Sequence, residues 1–540
     1  MRPLVLLGLF LAGCGSVATG DGGTIPDAAT RDSGEASDGG RDAGSQACGA
    51  DVAPAEGVVV TSTGAVSGTK TGDVYRWLGI PYGRSPTGAM RWRAPEPVSC
   101  WTGIRAATTF GPSCAQLDED GGVVGREDCL TVNVWAPSGS SAAPVMVWIH
   151  GGGNTVGSGS DPLFDGHELA ARQGVVVVTL NYRLGALGFF THASLNAESD
   201  AGVSGNYGIL DQQGALRWVR DNARAFGGDP ARVLLFGESA GGQNTLIHLV
   251  SPGSKGLLSS AVVQSGGIYK NTLAQSVIDM QQVVQAAGCA SQPDALECMR
   301  AASMQTVVSV PTAAGPLSRG LAYRPVIDGV VIPANVLELI KQGKHQHVPL
   351  AIGTNADETS RQVPRVTTTG EYEAAVRAQY GAVAANSVLV QYPASRFSTP
   401  QQALIAVTTD ATYTCPARVI ARAVAANQTE PVFRYFFTWK PPGIAGALIG
   451  SAHGLDVPFV FRSFGALAGS PPTAAQLGLS EAMQGYWSRL AASGNPNGAQ
   501  AFGWPTFPVG GDAALELNSP LTALSSVRAA DCDFIDSLAP

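Results

Sequence analysis

The pentapeptide Gly237-Glu238-Ser239-Ala240-Gly241 sets a serine among small residues. This is the pattern of an elbow in which a hydroxyl is lifted clear of the chain at a sharp turn, where bulkier neighbours would collide with the adjoining strand and helix. With 67 glycines in 540 residues, about one such match is expected by chance, so the context has to carry the assignment. The apolar run Val233-Leu234-Leu235-Phe236 precedes the pentapeptide, and residues at helical spacing through Leu246 and His248 follow it. Strand, turn and helix make Ser239 a candidate nucleophile for acyl transfer.

A serine hydroxyl needs a base, and the base needs an orienting acid. On elbow-bearing folds these follow the nucleophile in the order acid, then histidine. Of His150, His167, His192, His248, His345, His347 and His453, only His453 leaves a long stretch after Ser239 for an acid. His248 lies nine residues beyond the serine, about 13 Å along a helix and out of reach. His345 and His347 fall in a polar stretch before an apolar run and are expected to be solvated. Among the intervening carboxylates, which include Asp410 and Glu430, only Asp357 and Glu358 closely follow a strong apolar run, Val348 to Ile352. Sites on open α/β sheets form beyond the carboxyl ends of strands, and position alone does not separate these two.

The run Val145-Met146-Val147-Trp148-Ile149 ends in His150-Gly151-Gly152-Gly153. Consecutive glycines let backbone amides point into a cavity without side-chain obstruction. With the amide of Ala240, this loop would shelter the oxyanion of a tetrahedral intermediate. His150 is expected to fix the loop rather than to react.

Positioning these residues requires a scaffold. Further apolar runs occur at Val175-Val176-Val177-Val178, Ala261-Val262-Val263 and Val432 to Phe437. Continuous runs mean strands buried on both faces. Ala215, Leu216, Val219 and Ala223 share one helical face between two of the runs. The reading is the α/β class, with a large, mostly parallel central sheet flanked by helices. Residues 266 to 345 lack strand-like runs and read as a helical insertion. No repeat or second low-complexity seam interrupts residues 48–540, which read as one domain.

Apolar residues make up 45% of the chain and charged residues 14%, which excludes disorder for most of it. A net charge of −8 without any basic run excludes a nucleic-acid surface. Met1-Arg2-Pro3, the apolar Leu4 to Ala12, and Leu11-Ala12-Gly13-Cys14 form an export signal with a small-residue cleavage box, residues 1–13. A cysteine ending such a box resembles the lipobox of bacterial lipoproteins, which implies a lipid anchor on Cys14. Residues 14–47 are rich in Gly, Asp, Ser and Ala and read as a flexible tether. The expected location is the cell envelope, at the outer membrane or outside the cell, with membrane attachment only through the lipid. Nine cysteines in an exported chain point to disulfides rather than metal.

From about Gly57 to the C-terminus the chain resembles the type-B carboxylesterase family, the carboxylesterases and cholinesterases. Gly79-Ile80-Pro81-Tyr82, Arg91-Trp92, Glu127-Asp128-Cys129-Leu130, Asn181-Tyr182-Arg183, the elbow, Gln264-Ser265-Gly266 and His453-Gly454 with Asp456 carry the resemblance in order. It implies the α/β-hydrolase fold and assigns Glu358 rather than Asp357 as the acid. It also implies oxyanion-hole glycines at Gly152 and Gly153, a supporting hydroxyl at Ser265, Glu238 lining the site and an Arg91–Glu127 ion pair. Disulfides are implied between Cys114 and Cys129, Cys289 and Cys298, and Cys415 and Cys532, which leaves Cys48 and Cys100 as a fourth pair.

Two departures bear on substrate. The fourteen residues between Cys114 and Cys129 hold no aromatic, whereas cholinesterases carry there the tryptophan that binds choline. Asn154 replaces the aromatic usual after the glycine triplet, which alters the pocket beside the oxyanion hole. The expected function is a serine carboxylic-ester hydrolase acting on a small-molecule ester through an acyl-enzyme, without cofactor or metal. The rivals are a non-catalytic binding protein of the same fold, and an amidase or lactonase using the same triad.

Overall fold

Residues 48, 52–268, 270–310, 323–467 and 471–538 are described by the structure, a computed structural model. The signal, Cys14 and the tether lie outside the described residues. The main sheet contains eleven strands: β1 (Thr69–Thr71), β2 (Val74–Pro81), β3 (Thr131–Pro137), β4 (Ala143–Ile149), β5 (Val176–Leu180), β6 (Gly228–Glu238), β7 (Ser260–Gln264), β8 (Leu350–Asn355), β9 (Val432–Phe437), β10 (Ala514–Leu517) and β11 (Thr522–Leu524). Their spatial order is β11-β10-β9-β8-β7-β6-β4-β5-β3-β2-β1. The strands from β10 to β5 pair in parallel, and the outer pairs are antiparallel. The six continuous apolar runs are β4 to β9, which form an unbroken block at the centre of the sheet.

Alternation along β4 shows why these strands are apolar throughout. Val145, Val147 and Ile149 join one buried cluster, while Met146 and Trp148 join another on the opposite face. Successive side chains point to opposite sides of a strand, so both faces need covers. Helix α1 (Tyr207–Asn222), α2 (Ala240–Val250) and, after α3 (Pro400–Thr409), α4 (Cys415–Asn427) cover the first face. Leu216 and Val219 of α1, Leu246 and Ile247 of α2, and Ile420 of α4 belong to the first cluster. Helix α5 (Ala474–Ser493) covers the second with Met483, Tyr486, Trp487 and Leu490.

The stretch from 266 to 345 carries short helices, among them Leu273–Asp279, Ala295–Ala301 and Val336–Lys341. All four expected disulfides are formed: Cys48–Cys100, Cys114–Cys129, Cys289–Cys298 and Cys415–Cys532. Arg91 donates to Glu127 through both Nε (2.9 Å) and Nη2 (2.5 Å). Among the described residues no helix is long and apolar enough to cross a membrane.

The order β9-β8-β7-β6-β4 lines up five parallel carboxyl ends. Residues after β4 include the glycine triplet, Ser239 follows β6, Ser265 follows β7, Glu358 follows β8 and His453 follows β9. Residues far apart in the chain thereby reach one edge of the sheet.

Candidate active site

Strand β6 runs two residues past Phe236 to Glu238, and α2 starts at Ala240. Ser239 alone makes the turn, at φ 57° and ψ −123°, a conformation strained for a residue with a side chain. Its amide donates to the Gln264 carbonyl at 2.9 Å. Although it occupies the helix N-cap, its side chain makes no cap hydrogen bond, so the hydroxyl is left for other chemistry. The elbow tolerates this only because Gly241 is small. A Cβ there would lie 2.0 Å from the Ile149 carbonyl oxygen.

His453 sits in the loop after β9, with its Nδ1 2.5 Å from Glu358 Oε2. The other Glu358 oxygen accepts from the Ser265 hydroxyl at 2.6 Å and the Asn355 amide at 2.7 Å. Glu358 is wholly buried, so these donors replace the water its charge has lost. Asp357 turns away and accepts from the Ser451 amide at 2.9 Å, which fixes the loop that carries the histidine. Of the two carboxylates that position left open, Glu358 is the one bonded to the imidazole.

On its other side, His453 Nε2 lies 3.2 Å from Oε1 of Glu238, the residue just before Ser239. The two atoms are not aligned as a hydrogen bond. Burial pushes the Glu238 carboxyl up to about 8. Burial works to lower the His453 pKa, but the carboxylates of Glu238 and Glu358 outweigh it and hold it at about 9.

Two features brace this loop from behind. Asp456 accepts from Gln264 Nε2 at 2.8 Å and from the Tyr435 hydroxyl at 3.0 Å, which ties the histidine loop to β7 and β9. Asn355 Nδ2 donates to the Ala452 carbonyl at 2.7 Å. Thr359 Oγ1 lies 2.5 Å from Thr408 Oγ1, which fastens the turn carrying Glu358 to α3.

The glycine loop lies directly against Ser239. A Cβ at Gly151 would come within 3.1 Å of Ser239 Cβ. Gly152 has φ 98°, and a side chain there would meet the Val156 carbonyl at 2.0 Å. His150 is buried, with Nδ1 2.8 Å from the Gly151 carbonyl and its ring stacked on Tyr182. Burial pushes its pKa down to about 4, so it is a neutral loop-fixing residue.

Asn154 is completely buried at φ 59°, a conformation asparagine accepts more readily than most residues. Its Oδ1 accepts from Asn244 Nδ2 at 2.9 Å and from the Tyr182 hydroxyl at 3.3 Å. The replacement for the usual aromatic thus bolts the glycine loop to α2.

One reading of the other histidines is corrected. His248 is buried between Gln212 and Ser254. His347 is exposed, but His345 is not solvated as its polar neighbours suggested. It is buried, with Nε2 3.1 Å from Oε1 of Gln428, the residue that caps the C-terminal end of α4. Sequence reasoning also missed Tyr413, whose ring packs on the His453 imidazole at 4.8 Å between centroids. No motif marks it.

The carboxylesterase family profile matches residues 55–535. The chain is 36% identical over 470 residues to fumonisin B1 esterase of Sphingopyxis macrogoltabida, covering 83% of this chain and 84% of that protein. It is 36% identical over 482 residues to para-nitrobenzyl esterase of Bacillus subtilis strain 168, covering 86% and 95%. A solved PNB esterase structure superposes with a TM-score of 0.77 at 33% identity, covering 89% of this chain and all of that one. With the α/β-hydrolase sheet and the elbow already described, these likenesses establish that the chain belongs to the carboxylesterase family and is a carboxylic-ester hydrolase.

Proposed function

We propose that the enzyme hydrolyses small-molecule esters through a Ser239–His453–Glu358 triad and an acyl-enzyme. His453 takes the proton of Ser239 as its oxygen attacks the ester carbonyl carbon. The resulting oxyanion is held by the backbone N–H groups of Gly152, Gly153 and Ala240. The C–O bond to the alcohol then breaks, and the imidazolium returns its proton to that departing oxygen. Water, deprotonated by the same imidazole, attacks the acyl carbon, the bond to Ser239 Oγ breaks, and the imidazolium returns its proton to that oxygen as the acid leaves. Glu358 keeps Nδ1 protonated and stabilises the transient imidazolium.

The observation that carries this reading is the buried chain Ser265–Glu358–His453 at the sheet edge that bears the uncapped, strained Ser239. A fluorophosphonate probe should label Ser239 and abolish turnover of p-nitrophenyl acetate. Ser239→Ala should lower kcat by about 10⁴ to 10⁶-fold. Normal turnover by that variant, or by fully treated but unlabelled enzyme, would sink the triad.

We also propose that the chain is exported and carried on the cell envelope by a lipid on Cys14. The support is the cleavage box Leu11-Ala12-Gly13-Cys14 behind a nine-residue apolar stretch.

A further inference from the structure

We propose that Tyr413 is a positioning residue for the base, held against the His453 imidazole by a π-helical turn. This inference rests on His453 being the base. Helices α3 and α4 are joined by five residues of π-helix, Asp410–Thr414. A π turn inserts an extra residue into the helical repeat and occurs rarely, mostly as a single turn at functional sites. Because each α-helical residue advances about 100° around the axis, restoring a regular α-helix here would swing later side chains about a quarter-turn away.

Both shoulders of the turn are bolted. Asp410 is buried and accepts from the Tyr392 hydroxyl at 3.0 Å and from Arg528 Nη1 at 3.2 Å. At the other end, the Thr414 carbonyl accepts from Arg434 Nη2 at 3.2 Å, and Cys415 is disulfide-bonded to Cys532. Such anchoring of an irregular turn is wasted unless the turn has something to hold. Of its three buried residues, Asp410, Tyr413 and Thr414, Tyr413 is the one that packs on His453, with its ring tilted 45° to the imidazole at 4.8 Å between centroids.

The geometry of the base explains the need. His453 is hydrogen-bonded at Nδ1 to Glu358, while Nε2 faces Glu238 Oε1 at 3.2 Å without an aligned hydrogen bond. Both contacts lie along the ring edge, so neither covers the faces of the imidazole. A close-packed aromatic face restricts rocking of the ring, and its π-electrons also favour the imidazolium formed while the proton is in transit. Both effects act on the chemical step rather than on substrate binding, so they belong in kcat.

The test is steady-state hydrolysis of p-nitrophenyl acetate by Tyr413→Phe and Tyr413→Leu, each also made in a His453→Ala background, with melting temperature recorded. Tyr413→Phe keeps the ring and should stay within about threefold of the parent, while Tyr413→Leu should lose about 10 to 100-fold in kcat with KM within about twofold. In the His453→Ala background, Tyr413→Leu should add no further loss to the residual rate. Should Tyr413→Leu fail to fold, Tyr413→Met, whose flexible chain refills the space, takes its place with the same expectation. Parental kcat in the Leu or Met variant overturns the inference, as does an equal loss with and without His453 or an equal loss in Tyr413→Phe. Unimpaired turnover by His453→Ala overturns the triad as well, which separates the failure of one reading from the failure of both.

Discussion

Glu238 immediately precedes Ser239 and faces His453, so its charge state governs how tightly His453 holds a proton. The two groups lie 3.2 Å apart in a buried site, and with Glu358 on the far side the imidazole is flanked by two carboxylates. In the proposed triad the neutral imidazole is the form that accepts the serine proton. Activity is therefore lost as pH falls through the His453 pKa, which these carboxylates raise. Glu238→Gln removes one of them, so the acid limb of kcat/KM against pH should move about 1 to 3 pH units lower. An unmoved limb, or one moved upward, would count against this coupling. The turn at Ser239 was legible in the sequence because the elbow has a steric signature, and chain order singled out His453, which the fold brings against Glu358. Asp357 and Glu358 were not separable from position, since both follow β8. Only folding shows that one meets the imidazole and the other caps the loop at Ser451. Tyr413 was invisible, because a π turn has no residue code and aromatic packing leaves no spacing pattern.

At the level of elements, β4 to β9 were legible because both of their faces are buried and their sequences are apolar without interruption. The flanking strands β1 to β3, and β10 and β11, were not. Val74–Pro81 alternates buried with partly exposed residues, and Thr522–Leu524 is short and mostly exposed, so neither yields an apolar run. The C-terminal helix Ala529–Leu538 matters more than its position suggests, because Cys532 ties it to the first residue of α4 beside the π turn. That disulfide closes 117 residues, whereas Cys289–Cys298 closes nine. Constraining the unfolded chain favours the longer closure, and losing such a bridge costs about 2 to 4 kcal/mol. The Cys415→Ala/Cys532→Ala variant should therefore melt lower than the parent, and lower than Cys289→Ala/Cys298→Ala. The opposite ranking would mean that the C-terminal helix stays docked without its bridge.

For the whole molecule, the question is how the enzyme is held where it works. Among the described residues no helix is long and apolar enough to cross a bilayer, and the family profile begins only at residue 55. Under the proposed lipidation, attachment runs through Cys14. A single acyl chain holds a protein to a membrane only marginally, whereas the two chains of a diacylglyceryl group anchor it stably. The consequence is a separation of place from chemistry. The full chain expressed with its signal should enter the detergent-rich phase on Triton X-114 partitioning, while Cys14→Ala should remain in the aqueous phase or the medium. Both should hydrolyse p-nitrophenyl acetate with the same kcat/KM, because the cysteine lies 34 residues before the first disulfide cysteine, Cys48. Equal partitioning of the two proteins would remove the lipid from the account and leave the ester chemistry standing. Unequal kcat/KM would mean instead that the N-terminal segment reaches the sheet edge where Ser239 sits.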